Sequence, residues 1–244
     1  MLQQTQGIVL RSIKYGETSL ITTIFTNNFG VQSYIIKGVR SQKSKQNKTA
    51  FLQPASLIDL VVYHNPNQNL QYLREYQATY IYQQVQEQVI INSVALFSIE
   101  FLLRILPQQA PIPEMFAFCQ QYFIQLDQSN VNEIANLPIY FIANCSKMLG
   151  YEIKGNYTEE TPHLNIQEGG FSAQLPASEP LVNQVTAKQL SEVLIINSFQ
   201  ELHKVELNSQ TRLQLLEWYL AFLHHYCQHL GEIKSLRVLQ TILH

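Results

Sequence analysis

The chain reads as an α+β protein, a small five-stranded barrel followed by an all-helical part. Five short segments rich in Val, Ile, Thr and aromatic residues fall within the first 80 residues, with turn residues between them. From Tyr80 the apolar period lengthens to that of a helix. Charge divides at the same place. Residues 1–80 hold eight basic and three acidic residues, a net of +5, whereas the rest holds eight basic and fifteen acidic, a net of −7. The 244 residues, 46% hydrophobic and only 14% charged, suffice for a real core and argue against disorder.

The strand segments are Gly7–Ile13, Ser19–Thr26, Val31–Lys37, Leu57–Tyr63 and Leu70–Gln77. Tyr15-Gly16-Glu17 turns the first into the second. Asn27-Asn28-Phe29-Gly30 turns the second into the third, because Asn and Gly tolerate positive φ. Asn65-Pro66-Asn67 joins the last two. Five strands in this space match a Greek-key barrel of the oligonucleotide-binding (OB) type; an SH3-like barrel or small sandwich has a similar pattern. The expected domains are therefore residues 1–80 and residues 81–244.

Ile90, Val94, Phe97, Phe101 and Ile105 predict an amphipathic helix over Ile81–Leu106. Pro107, Pro111 and Pro113 end it and begin another that runs to Leu126. A third covers Asn132–Leu149, with Pro138 kinking or dividing it and Gly150 as its C-cap. Residues 150–184 lose periodicity and read as an irregular insert with room for a short hairpin. Helices resume over Ala187–Ile196, Ser209–Leu230 and Ser235–Leu243. In the second of these, Leu213, Leu216, Leu220 and Leu223 make a stripe that Leu215, Tyr219, Phe222 and Tyr226 widen, the mark of a helix buried on most sides.

Cys119, Cys145 and Cys227 are an odd number, far apart and without a CxxC, which favours reduced thiols in a cytosolic protein. No secretory signal opens the chain. Its longest apolar stretch is broken by Asn92, Ser93, Glu100 and Arg104, so a membrane partner is not expected.

The run KGVRSQKSKQNK, with Lys37, Arg40, Lys43, Lys45 and Lys48, is the strongest functional signal, and no acid occurs from Thr18 to Leu57. One reading is a loop that follows a sugar–phosphate backbone; the other is a loop that lysines keep soluble. Its place between two strands of the only basic part favours the first. Arg11, Lys14 and Arg74 extend the same charge. Aromatics are interleaved with it; most read as core or barrel-end residues, and Tyr15 and Phe29, at turns, are the best candidates for stacking on bases.

Other constellations are weaker. His225 and His229, four apart, share a face of the expected helix; they read as its polar edge more readily than as metal ligands, and no metal or cofactor is predicted. Phosphate-loop, nucleophile-elbow and HExxH signatures are absent, and Glu17, Asp59 and Glu75 are too dispersed for a two-metal nuclease, so no enzyme is expected. Lys147, Arg212, Lys234 and Arg237 lie near helix ends. They either balance helix dipoles or rim a socket for an acidic peptide tail.

Ile8-Val9-Leu10-Arg11, Tyr15-Gly16-Glu17, Gly30, Lys37-Gly38 and Leu52-Gln53-Pro54 together resemble the RecO family of bacterial recombination mediators. Leu149-Gly150-Tyr151 and Lys234-Ser235-Leu236-Arg237-Val238-Leu239 resemble it too, so the likeness runs over essentially the whole chain. It implies an OB barrel and a helical domain, binding of single- and double-stranded DNA, and annealing of complementary strands. It further implies docking on the acidic C-terminal tail of the single-stranded DNA-binding protein and work with RecR to load RecA, in the bacterial cytoplasm on the nucleoid. Many relatives carry a four-cysteine zinc module in the insert; residues 150–184 here contain no cysteine, so the insert must hold itself by packing. An RNA-binding OB module with a helical appendage is the alternative.

Overall fold

The computed structural model describes residues 1–40, 48–131, 133–177 and 179–243, the side chain of Lys48 excepted. The chain forms two compact units, Met1–Glu87 with Leu106–Asp127, and Gln88–Ile105 with Gln128–His244.

The first unit is built on β1 (Leu2–Tyr15), β2 (Ser19–Thr26), β3 (Gly30–Ile36), β4 (Leu57–Tyr63) and β5 (Leu70–Ala78). They close into a barrel in the order β1-β2-β3-β5-β4, which is the OB connectivity and settles the choice among small β folds. All neighbours are antiparallel except β3 and β5, which pair in parallel over Ser33–Ile35 and Leu70–Tyr72. β1 is twice the expected length because it serves two partners. Leu2–Ile8 pairs with β4 and Gly7–Tyr15 with β2, and a bulge between Val9 and Arg11 re-aims the side chains where the strand curls. The barrel is filled by Val9, Leu20, Ile24, Tyr34, Ile36, Leu52, Ile58, Leu60, Val62 and Leu73.

The β2–β3 turn forms as its residues predict. Gly30 takes φ +65°, the Thr26 hydroxyl donates to the Gly30 carbonyl at 2.8 Å, and the Phe29 amide donates to that hydroxyl at 3.1 Å. Gly30 has a second reason to be glycine: a Cβ there would lie 2.4 Å from the Ala110 carbonyl oxygen. Helix α2 (Pro113–Gln128) belongs to this unit, and its Phe116 meets Phe25 edge-to-face at 5.6 Å.

The helix expected over Ile81–Leu106 starts only at Val89, as α1 (Val89–Ile105). Asp127 is the reason. Its buried carboxylate accepts the backbone N–H groups of Gln83, Gln84 and Val85 at 2.8–3.1 Å and the Tyr80 hydroxyl at 3.0 Å. Amides held this way are pinned in a non-helical path, and the Tyr82 hydroxyl adds a bond to the Ala55 carbonyl at 2.7 Å.

The second unit packs α1 with α3 (Leu137–Met148), α4 (Gln184–Leu194), α5 (Ser209–Tyr226) and α6 (Ser235–Ile242). Pro138 sits in the first turn of α3, where its missing N–H costs nothing, so it starts the helix and does not kink it. Asn183 and Asn208 cap α4 and α5 through their side-chain oxygens. Phe101, Phe141, Trp218, Tyr219 and Phe222 form the aromatic heart of this core. The insert contains a hairpin, β6 (His163–Asn165) and β7 (Gly170–Ser172). Lys154 brackets it through bonds to Gly169 and Phe171, and the Tyr226 hydroxyl donates to the Ile166 carbonyl at 2.9 Å.

Candidate nucleic-acid interface

The cations of the barrel unit come from three places. Arg11 points outward from β1, on the rung Arg11–Thr23–Ser33, and Lys14 is exposed near the end of the same strand. Lys37 and Arg40 leave β3 exposed, and the Arg40 amide donates to the Thr18 carbonyl at 3.0 Å, which draws this segment to the β1–β2 turn. Arg74 stands on β5, its Nε 3.1 Å from Glu75 in a pair that is half-exposed on both sides and therefore weak. Lys43 and Lys45 fall outside the described residues, as does the Lys48 side chain.

Lys37 and Arg74 meet at one open cleft of about 1010 Å3. Ile36, Val39, Leu73 and Tyr76 give it an apolar part, and burial pushes the Tyr76 phenol up to about 12. Gln6, Asp59 and Gln77, one cross-strand rung, supply polar edges: both glutamine side-chain amides donate to the Asp59 carboxylate. The Lys37 ammonium stands 5.3 Å above the Tyr72 ring. Arg11 and Lys14 do not line this cleft.

Of the two turn aromatics, Tyr15 is exposed, but Phe29 is partly buried. It packs against the barrel core and stacks on His64, with centroids 4.0 Å apart and planes 16° apart. Burial and the nearby N-terminal ammonium lower the His64 pKa. Tyr72 is exposed beneath the Lys37 ammonium; its outward parity on β5 is a sequence signal, but its nearness to Lys37 comes only from the pairing of β3 with β5.

In the helical unit an apolar groove of about 250 Å3 runs between α5 and α6, lined by Leu213, Leu216, Leu236, Leu239 and Leu243 with Arg212. The Arg212 guanidinium donates to the Leu207 and Leu243 carbonyls, and burial lowers its pKa. The other expected rim cations are elsewhere. Lys147 pairs with Glu152 at 2.9 Å and Arg237 with Glu232 at 3.1 Å, and Lys234 does not line the groove. The expected histidine face does not exist, because α5 ends at Tyr226 and Cys227 is extended, which separates His229 from the helix of His225. Among the described residues no group of three His, Cys, Asp or Glu is arranged to hold a metal, and no helix is long and apolar enough to cross a membrane.

The architecture is that of an OB-barrel protein with a second part that is helical apart from the β6–β7 hairpin. Family comparison makes this specific: the family described as Recombination protein O N terminal matches residues 1–82, and Recombination protein O C terminal matches residues 86–237. The chain belongs to the RecO family. It is 25% identical over 242 residues to the DNA repair protein RecO of Christiangramia forsetii and 27% identical over 245 residues to that of Phocaeicola vulgatus, each alignment covering 99% of both chains. The DNA repair protein RecO of Salinibacter ruber is 32% identical over 147 residues, 60% of this chain and 55% of that one.

Proposed function

We propose that this protein is a non-enzymatic DNA-binding mediator of recombination in DNA repair. It holds single- and double-stranded DNA on the barrel, anneals complementary strands, and helps load RecA onto DNA coated by the single-stranded DNA-binding protein. The observation that carries this reading is the family match across both units, joined to a basic barrel whose Lys37 and Arg74 share one open cleft. Phosphates lie on Arg11, Lys14, Lys37, Arg40, Lys43, Lys45, Lys48 and Arg74 without readout of sequence. Two strands anneal when their mutual repulsion is neutralised at close quarters, and cations on several strands and on the β3–β4 connection supply that. The acidic helical part keeps DNA on the barrel and serves partners. RecR is one, and the acidic tail of the single-stranded DNA-binding protein is the other. The groove beside Arg212 offers that tail what it needs: apolar walls and a half-buried cation.

The test is the salt dependence of binding. Contact with roughly five phosphates gives log K a slope of about −3.5 against log salt on single strands. Changing Lys43, Lys45 and Lys48 together to Glu weakens both binding and annealing. Salt-independent affinity, or normal binding by the triple variant, overturns the proposal.

A further inference from the structure

The register of the barrel places six apolar side chains in one continuous rung around its outer wall: Ile13, Ile21, Ile35, Tyr72, Tyr63 and Leu2, each the direct partner of the next. Their parity is opposite to that of the barrel filling, in which Leu20, Tyr34, Ile36, Val62 and Leu73 point inward. The other end of the same wall is covered within the unit. Phe25 lies under Phe116, Val31 bridges to Gln108, and Gly30 abuts Ala110. Four members of the belt are left open, with Ile13 43%, Tyr72 38%, Tyr63 47% and Leu2 43% exposed, while Ile21 and Ile35 between them are half-buried. A contiguous apolar surface on a protein wall marks a binding site.

The occupant follows from what surrounds the two tyrosines. Their rings meet edge-to-face at 6.2 Å, so they form one fixed aromatic corner. Lys37 stands over the Tyr72 ring, and Arg74 follows two residues later on the same strand. Arg11 lies away from this corner, next to Ile13 at the other end of the belt. Planar faces set among cations suit a polyanion that carries planar apolar groups. We propose that the Tyr63–Tyr72 corner and the isoleucine rung beside it form the platform on which unpaired bases of single-stranded nucleic acid stack, while Lys37 and Arg74 take the flanking phosphates. This rests on the DNA-binding reading and deepens it. The cations serve paired and unpaired strands alike. The belt serves only bases free of a partner, because a duplex presents its bases edge-on in the grooves. Discrimination between single and double strands therefore resides in the belt and not in the basic connection between β3 and β4.

The experiment titrates the full chain with an oligo(dT) and with a duplex of the same length, across a range of salt, for wild type, Tyr63→Ala, Tyr72→Ala and the two Tyr→Phe variants. Each alanine variant loses affinity for oligo(dT) by about tenfold, within the range of one base–aromatic stack. Duplex affinity and the salt slope stay unchanged, and the Phe variants bind as wild type. Tyr72→Trp adds an exposed indole, distinct from the buried Trp218, and its fluorescence is quenched by oligo(dT) but not by duplex. Unchanged oligo(dT) affinity in the alanine variants, equal losses on both forms of DNA, or an unquenched indole overturns the platform. A wild-type dimer that Tyr72→Ala dissociates without a change in DNA affinity assigns the belt to a second copy and also overturns it. Failure of the wild type to bind either DNA is a separate result, which removes the underlying reading.

Discussion

Replacing Asp127 with alanine withdraws the acceptor from three backbone N–H groups and one hydroxyl at once. Asp127 is 2% exposed, and so is Val85, one of its donors. Gln83 is exposed, so water replaces its bond at little cost; Gln84 and Val85 lose theirs in drier surroundings. At about 1–3 kcal/mol for each buried donor so affected, and less for the tyrosine, the change destabilises the barrel unit by roughly 3–4 kcal/mol. Asp127→Asn behaves differently. Its amide oxygen can keep the N–H groups that meet Oδ1, and the Tyr80 hydroxyl can turn to accept from its NH2 group, so about 1 kcal/mol of charge assistance is lost. The assay is thermal and denaturant unfolding of wild type and both variants. For a chain of this size the alanine variant should melt roughly 6–16 °C lower. Equal midpoints for Ala and wild type, or equal losses for Ala and Asn, refute the claim that the acceptor geometry of Asp127 shapes the 79–88 segment.

Gly30→Ala puts a Cβ against the Ala110 backbone at positive φ, so it should destabilise the chain by about 2–4 kcal/mol in the same melts. Lys37→Glu with Arg40→Glu removes two expected phosphate contacts, so the salt slope on single-stranded DNA should become shallower by about 1.4, as measured by fluorescence anisotropy. Partial burial opposes ionisation of Glu100, but hydrogen bonds from the Ser235 hydroxyl and amide and the Lys234 amide, with Arg104 nearby, hold its carboxyl below the usual range. A carboxyl lowered on folding contributes stability that is present above its unfolded pKa, about 4.3, and lost as pH falls through the folded value. The α6 amides should therefore lose protection against hydrogen exchange below about pH 4, and Glu100→Gln should remove that pH dependence. In competition, single-stranded DNA should hold its own against RNA of equal sequence; a strong preference for RNA would favour a reader of the 2′-OH.

Alternation and turn chemistry made the five strands legible, because a strand buried on one face must repeat with period two whatever lies beyond it. The helix cores of α1, α2 and α5 were legible for the same local reason, at their own period. Boundaries that depend on a distant partner were not. The start of α1 is set by Asp127, some forty residues away, and the doubled length of β1 by its second partner, β4. In the site, the residue types and the excess of positive charge were visible from composition. Phe29, which sits in a turn, looked free but stacks on His64, and the histidine face was lost because α5 stops at Tyr226.

The sequence by itself determined that a basic barrel precedes an acidic helical part, since net charge and apolar period are sums over neighbours along the chain. Only the tertiary structure decided which side chains share a surface. Ile13, Ile21, Ile35, Tyr72, Tyr63 and Leu2 are spread over seventy residues and become one belt through the register of five strands, and registers are pairings between segments that no local pattern contains.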